Sequence, residues 1–473
     1  MLYLFKYAVI RKGNVNMTEK LTLQEVEKTV LENKALFEEF IALETVSTQG
    51  REIKETADFV VKMFEDLGGE AQILDDLEDG FPFVYGFFEA GPGGNKEKTI
   101  LFYNHYDVQP EDPLELWDTP PFTLSLTDDG CLVGRGVSDD KGELMARLYA
   151  IHMLQKTEAG LPVNIKFIVE GEEEIGSPNI DAYVEKYADL LKADVCFWEG
   201  GGKNSNDEIV LYGGVKGIGY FDIWVDSADI DIHSSKGAVV NNAAWRLVHA
   251  LASLRTPDNK IVIDGFYDLM DEPTEKELAT VAKMPFDEAK EKDVYGLKHP
   301  LITDDLDYSP QEALVLYPTL TISGIESGYN GQGTKTVLPK TAKAKLDFRL
   351  VPGYSGPKVE KLLRAHLDNH GFEDVQIELL TQLEPFRTDL EHPYVDVVVE
   401  AAQEVYGKDN IVLEPNSAGG GPMFGFDQFL NVPIMGTGVG WAKTSAHAPN
   451  ENIRLQDFYE GILYMITLLN KLK

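Results

Sequence analysis

Four short apolar runs, at residues 83–88, 99–104, 163–169 and 194–198, constrain this chain most. Each is shorter than an ordinary helix and mostly apolar, with Asn164 and Lys166 the polar positions inside the third, so each reads as a largely buried strand. Helical periodicity at 23–43, 52–67, 141–156 and 179–191 falls around and between them. Thr22-Leu-Gln-Glu25 is a capping-box start for the first helix, and Gly68-Gly69 stops the second. This alternation predicts an α/β sheet with helices on both faces.

The pattern changes after Gly213-Gly214. Residues 219–225 alternate like a half-exposed antiparallel strand. A helix at 241–254, a long polar stretch at 256–310, strands at 319–323 and 342–350, a helix at 358–369 and a strand at 375–379 follow. Four strands with two helices on one face predict a two-layer α+β sandwich. After about residue 385 the α/β pattern resumes, with a helix at 394–406, a strand at 432–435 and a last helix at 457–469. A chain of 473 residues exceeds what one compact core holds. The expected architecture is therefore a mixed-sheet α/β domain, residues 17–214 and 386–473, interrupted by the smaller domain at 215–385. Residues 1–16 are expected to be an N-terminal extension, because Met17 opens the segment that leads into the first helix.

Charge excludes some partners. Lys and Arg number 43 against 79 Asp and Glu, a net charge of −36. Such a surface disfavours nucleic acid and anionic membranes. The two cysteines, Cys131 and Cys196, stand alone, so neither a disulfide framework nor a thiolate zinc site is expected. The apolar first ten residues precede Arg11 and Lys12, the reverse of a secretory signal, and are too short to span a bilayer. A cytoplasmic protein is expected.

The chemistry lies where the strands end. The run at 99–104 leads into His105-Tyr-Asp107, which sets a histidine and a carboxylate on one side of the chain at the carboxyl end of a buried strand, where open α/β sheets bind ligands. Four more donor segments follow. They are Asp139-Asp140 in a glycine-flanked turn, Glu172-Glu173-Glu174 after the run at 163–169, Glu199 after the run at 194–198, and His447 in a turn before the last helix. Several acids at one sheet edge repel each other unless cations are present. Histidine and carboxylate without thiolate suit Zn²⁺, Mn²⁺ or Co²⁺, and paired ions sharing a carboxylate recur in hydrolases.

The motifs HYDVQP, WDTPPF, GRGVSDDKG, EEEIGS and SAHAPNE together resemble the dinuclear zinc metallopeptidases that include carnosine dipeptidases, glutamate carboxypeptidase, acetylornithine deacetylase and succinyl-diaminopimelate desuccinylase. The dipeptidase branch matches best. The resemblance runs from about Met17 to the C-terminus and implies two divalent ions per chain. It implies His105, Asp139, Glu174, Glu199 and His447 as metal ligands, with Asp139 bridging. Glu173 falls at the general base, and Asp107 at the carboxylate that orients His105. His233 matches a lid histidine that family dimers send into the partner's site as an oxyanion donor, which implies a homodimer. Arg349 matches the residue that grips a substrate carboxylate, and Thr336, Gly420 and Gly421 fall where dipeptidases hold the same end. The first domain would then be catalytic and the inserted one a lid and dimerisation domain.

The implied reaction is hydrolysis of a peptide bond in dipeptides or short peptides. The alternative is an aminoacylase or deacylase on N-acyl amino acids, which would use the same metals and base. A metal-free binding protein on this fold would be expected to lack Glu173 or a ligand, and none is missing. The other histidines, including His366 and His370, are expected to be structural or superficial, away from acidic clusters.

Overall fold

The computed structural model describes residues 21–77 and 80–473; the extension expected at 1–16 and the start at Met17 lie outside them. The capping box forms: Thr22 accepts from the Glu25 backbone and Glu25 reaches back, opening the helix Leu23–Ala42. The helix Ile53–Asp66 ends where Gly68 takes φ 80°, a conformation that costs glycine little.

The larger sheet is mixed and ten-stranded. At its centre Asn95–His105 runs parallel to Val163–Glu170 on one side and to Val195–Trp198 on the other. Ile434–Gly436 continues the parallel set, whereas Glu70–Leu74 and Phe83–Phe88 add an antiparallel edge. Burial on both faces is visible residue by residue. Ile100 and Phe102 pack into the core beneath Leu23–Ala42, Ile53–Asp66, Lys141–Gln155 and Leu455–Lys471, while Leu101 and Tyr103 enter the core on the other side. Each such side chain contributes about 1.5–3 kcal/mol when fully buried.

The helix Lys141–Gln155 is buried almost all round. Its charged residues are paired: Arg147 donates to the Tyr103 carbonyl, the Asn104 side chain and the Trp198 carbonyl, tying two strand ends to the helix.

The chain leaves this sheet along Gly214–Val215 and returns along Phe386–Arg387, and the two segments pair antiparallel. Between them lies a four-stranded antiparallel sheet in the order Thr319–Ser327, Thr341–Leu350, Gly217–Asp226, Gln376–Leu383. Along Thr341–Leu350 alternate residues enter a separate core with the helices Ala243–Leu254 and Gly356–Asn369, which leaves Arg349 on the opposite face.

Two expectations need correction. The stretch 256–310 is not merely polar. It contains the helices Glu275–Val281 and Glu288–Val294, and with Pro310–Val315 it buries Val281, Met284, Val315 and Leu316 against Val412 of the larger sheet. The apolar positions are too few and too widely spaced to stand out from their acidic surroundings. The helix expected at 179–191 is two, Ile180–Lys186 and Ala188–Leu191, broken at Tyr187.

Candidate metal centre

Three parallel strands end at one edge and deliver side chains to one place. Asn95–His105 brings His105, Val163–Glu170 leads into the one-turn helix Glu173–Ile175, and Val195–Trp198 leads to Glu199. Asp139 enters from the turn before Lys141–Gln155, its peptide to Asp140 being cis. His447 comes from the loop before Asn452–Arg454. That loop holds Ser445, His447 and Asn450 at φ 55°, 61° and 61°. Non-glycine residues at positive φ persist only where surrounding contacts over-determine them, and they cluster at functional sites.

One carboxylate joins the two histidines. Oδ1 of Asp139 lies 2.9 Å from His105 Nε2, and its Oδ2 lies 3.0 Å from His447 Nε2. His447 Nε2 also lies 3.2 Å from Glu174 Oε2. Two donor groups result, His105–Asp139–Glu199 and Asp139–Glu174–His447, each with its donor atoms within 4.8 Å of one another. Asp139 belongs to both, one oxygen toward each. Imidazole and carboxylate without thiolate form a hard-to-borderline set that fits divalent ions of the zinc or manganese kind. Both cysteines are free and buried elsewhere.

The electrostatics agree with a cation site. Burial holds Glu199 well above the usual carboxylate range and pushes Glu174 up to about 8. Burial opposes ionisation of Asp139 too, but hydrogen bonds from His105 and His447 win and lower its pKa. His447 is raised to about 9, first by its bond to Asp139. Burial thus makes the ionised form of these acids costly unless a cation stands beside them.

Within the acidic run the neighbours differ in orientation. Glu172 is buried, and its carboxylate accepts from the backbone of Phe81 at 3.0 Å and of Asn179 at 3.0 Å. The Glu173 carboxylate makes no hydrogen bond or ion pair among the described residues and lines a cleft of about 430 Å³ together with Asp139 and Glu199. Asp107 does two things. Its backbone carbonyl lies 3.0 Å from His105 Nδ1, nearer than its own Oδ1 at 3.4 Å. Its carboxylate accepts from the backbones of Glu173 and Glu174 at 3.3 and 3.1 Å.

Sequence reading missed the supports. Glu451, wholly buried, accepts from Arg135 at 2.7 Å and from the backbone N–H groups of Gly136, Ser138 and Asp139 at 2.9, 2.9 and 3.0 Å. It stands in the motif SAHAPNE, where only the histidine drew attention. Asp140 accepts from Asn104 at 2.7 Å and from the His105 backbone at 3.0 Å, fixing the strand end. Gln109 donates to Glu174 at 2.7 Å, and Tyr212 donates to the Glu199 carbonyl.

This constellation has relatives. The model of Peptidase family M20/M25/M40 matches residues 101–471. The chain belongs to that family. As an M20 metallopeptidase it is a hydrolase that uses divalent metal. It is 30% identical over 448 residues to the Cys-Gly metallodipeptidase dug1 of Schizosaccharomyces pombe, covering 89% of this chain and 90% of that one. It is 29% identical over 386 residues to the Beta-Ala-His dipeptidase of Rattus norvegicus, covering 77% and 75%. Among solved structures, an M20 family metallo-carboxypeptidase from Sulfolobus solfataricus superposes with a TM-score of 0.81 at 38% identity, covering 93% of this chain and 99% of that one.

The other residues expected at the site divide into two groups. Arg349 pairs with Asp347 at 3.2 Å, and its charge acts on the buried Lys216. Gly420 packs near Ile218, the cross-strand partner of Arg349, and both Gly420 and Gly421 line the cleft. Thr336 is exposed beside His233, its carbonyl accepting from the Ser234 backbone at 3.2 Å. His233 is exposed too, its Nδ1 accepting from the Ser235 backbone at 3.1 Å. No contact joins either residue to the donor groups within the described chain.

One histidine expectation also changes: His366 and His370 do sit near an acid, Asp264, with candidate donor atoms within 4.8 Å. His366 nonetheless has both ring nitrogens occupied, Nδ1 by the Asp264 N–H at 3.2 Å and Nε2 by the Ser253 carbonyl at 3.0 Å. That leaves no lone pair for a metal, so its role is structural.

Proposed function

We propose that this chain hydrolyses the peptide bond of dipeptides and short peptides, using two divalent ions, with zinc the first choice. The observation that carries the reading is Asp139, whose two oxygens face two separate donor groups while an unengaged Glu173 faces the same cleft. His105, Asp139 and Glu199 would hold one ion, and Asp139, Glu174 and His447 the other. Ions held there supply Lewis acidity to the scissile carbonyl and to water.

The chain's own residues do the rest. Glu173 accepts the proton of the attacking water and returns it to the leaving amine; burial, which raises its pKa, suits it to both tasks. Asp107 holds the 173–174 backbone and, through its carbonyl, the tautomer of His105. Glu172 is a structural acid. Arg349 takes the substrate carboxylate with a bidentate fork, beside the backbone of Gly420 and Gly421.

We further propose that residues 17–214 and 386–473 act as the catalytic domain and 215–385 as a lid that dimerises. Support comes from the exposed Ile230, Val239 and Trp245 near His233, and from the edge strand Thr319–Ser327 with Ile322 and Ile325 exposed. His233 and Thr336 would then act on the partner's site. Among the described residues no helix is long and apolar enough to cross a membrane. The free buried cysteines favour the cytoplasm as the compartment.

The test is a substrate panel on chelated and metal-reloaded protein. Dipeptides should be cleaved only after Zn²⁺, Mn²⁺ or Co²⁺ is restored, and faster than N-acetyl amino acids. Activity in a metal-free preparation, or a preference for the N-acetyl substrates, would overturn the reading.

A further inference from the structure

The two donor groups differ in how their histidines are held. The His105 side chain is fully buried at the end of a central strand, whereas that of His447 is 55% exposed. Every side chain from Lys443 to Asn450 is exposed or half-buried, so hydrogen bonds rather than a core fix the shape of this loop. Ser445, His447 and Asn450, all at positive φ, require that they do so. Four of those contacts converge on one side chain. Asn452 Nδ2 donates to the carbonyls of Lys443 at 3.1 Å, Thr444 at 3.4 Å and Asn450 at 3.0 Å, and its Oδ1 accepts from Trp441 Nε1 at 2.9 Å. An indole N–H only donates and a carbonyl only accepts, so these partners fix which way the amide points. The backbone closes the same ring: the Asn452 N–H donates to the Thr444 carbonyl at 2.8 Å, and the Thr444 hydroxyl donates to the Asn452 carbonyl at 2.6 Å.

Asn452 is itself anchored, because its strand pairs antiparallel with Cys131–Val133. We propose that Asn452 is a positioning residue for His447: a fixed strand position whose amide gathers both arms of the loop and sets the histidine opposite Asp139 and Glu174. The inference rests on the two-ion reading above and assigns Asn452 to one ion of the two. His105, Asp139 and the Glu199 carbonyl are held by other groups, Asp140, Glu451 and Tyr212. Loss of Asn452 should therefore release the ion of the Asp139–Glu174–His447 group and spare the other. Asn450 also ties the loop, accepting from the Asp118 N–H at 2.8 Å and donating to the Leu116 carbonyl at 3.0 Å. Its φ of 61° would strain most replacements, which makes Asn452 the cleaner target.

Co²⁺ titration of the metal-stripped full chain, followed by visible absorption, separates the two sites. The wild type should take up two ions. In N452A one should bind as in the wild type and the other at least about tenfold more weakly, the lower end for losing a group that orients a metal ligand. The spectrum of its one-ion form should match that of H447A, which identifies the ion released. N452D keeps the size of asparagine and an oxygen toward Trp441 but turns an acceptor toward three carbonyls, so it should hold the second ion no better than N452A. Urea unfolding checks the fold of each variant. T444V, which removes only the hydroxyl bond, should weaken the same ion by less, and it carries the test if N452A does not fold. Wild-type affinity for both ions in N452A and T444V, equal weakening of both ions, or recovery in N452D overturns the inference while leaving the two-ion reading intact. A wild type that takes up fewer than two Co²⁺ removes that reading and the inference with it.

Discussion

Replacing Glu451 with leucine tests how much of the metal centre depends on a residue that touches no metal. The carboxylate is wholly buried and accepts four hydrogen bonds, one from Arg135 and three from consecutive-turn amides ending at Asp139. Leucine is close in volume but leaves a buried guanidinium without its acid, a loss of about 3–5 kcal/mol when one partner of a buried pair is removed. Three orphaned amides add to it, each about 1–3 kcal/mol if water cannot reach it. Arg135 retains the Pro110 carbonyl at 3.1 Å and stacks over Trp117, which softens the loss. A destabilisation of at least about 3 kcal/mol follows, large against typical domain stability. The second consequence is local: Asp139 loses the acceptor that fixes its backbone, so both donor groups loosen together. Urea unfolding gives the first quantity, and zinc titration of folded protein gives the second. Glu451→Gln keeps an acceptor oxygen and should fall between. Unfolding within about 1 kcal/mol of wild type in the leucine variant, with unchanged zinc affinity, would refute the reasoning.

Glu173→Gln should lower kcat by at least about 10²-fold with metal content near normal, whereas Glu172→Gln should cost stability and leave more activity; steady-state kinetics with metal analysis tells them apart, and the reverse order would reassign the base. His233→Ala should reduce kcat with metals and fold intact, and mixing it with Glu173→Gln should restore part of the activity after subunit exchange, because one site then carries both defects and its partner neither; exchange without recovery would put His233 in its own chain's site or outside any. Burial, with Arg349 nearby, lowers the Lys216 ammonium to about 7 while it donates to the carbonyls of Ala313 and Tyr317. The unfolded chain keeps this proton up to about pH 10.4 and the folded chain releases it near 7, so stability should rise with pH between those values by up to about 1.4 kcal/mol per unit. Subtracting the pH profile of Lys216→Met isolates that slope, and parallel profiles would contradict it.

The larger sheet was legible because its central strands are largely buried on both faces, and such strands advertise themselves as short, mostly apolar runs. Ile209–Tyr212 and Ile411–Glu414 escaped notice because each is four residues long and borders polar turns. The helices between 275 and 315 escaped for a related reason: Glu275–Val281 buries a single apolar side chain, Val281, and Glu288–Val294 buries none, too few for a period to emerge. The smaller sheet was legible through its alternation, as along Thr341–Leu350.

The donor residues were legible for a different reason. A charged side chain directly after a buried strand has few harmless explanations, so His105, the 172–174 run and Glu199 stood out one by one. Their convergence did not, because residues 105, 139, 174, 199 and 447 meet only when parallel strands end at a common edge. The supports were hidden further still. Glu451 looks like any acid in an exposed loop until the fold closes over it, and its value lies in amides that carry no sequence signature. Thr336 is placed by its backbone: the short pairing of Ile232–His233 with Val337–Leu338 sets it beside His233. Any task of Thr336 is thereby tied to that of His233, so the subunit-mixing experiment bears on both residues at once.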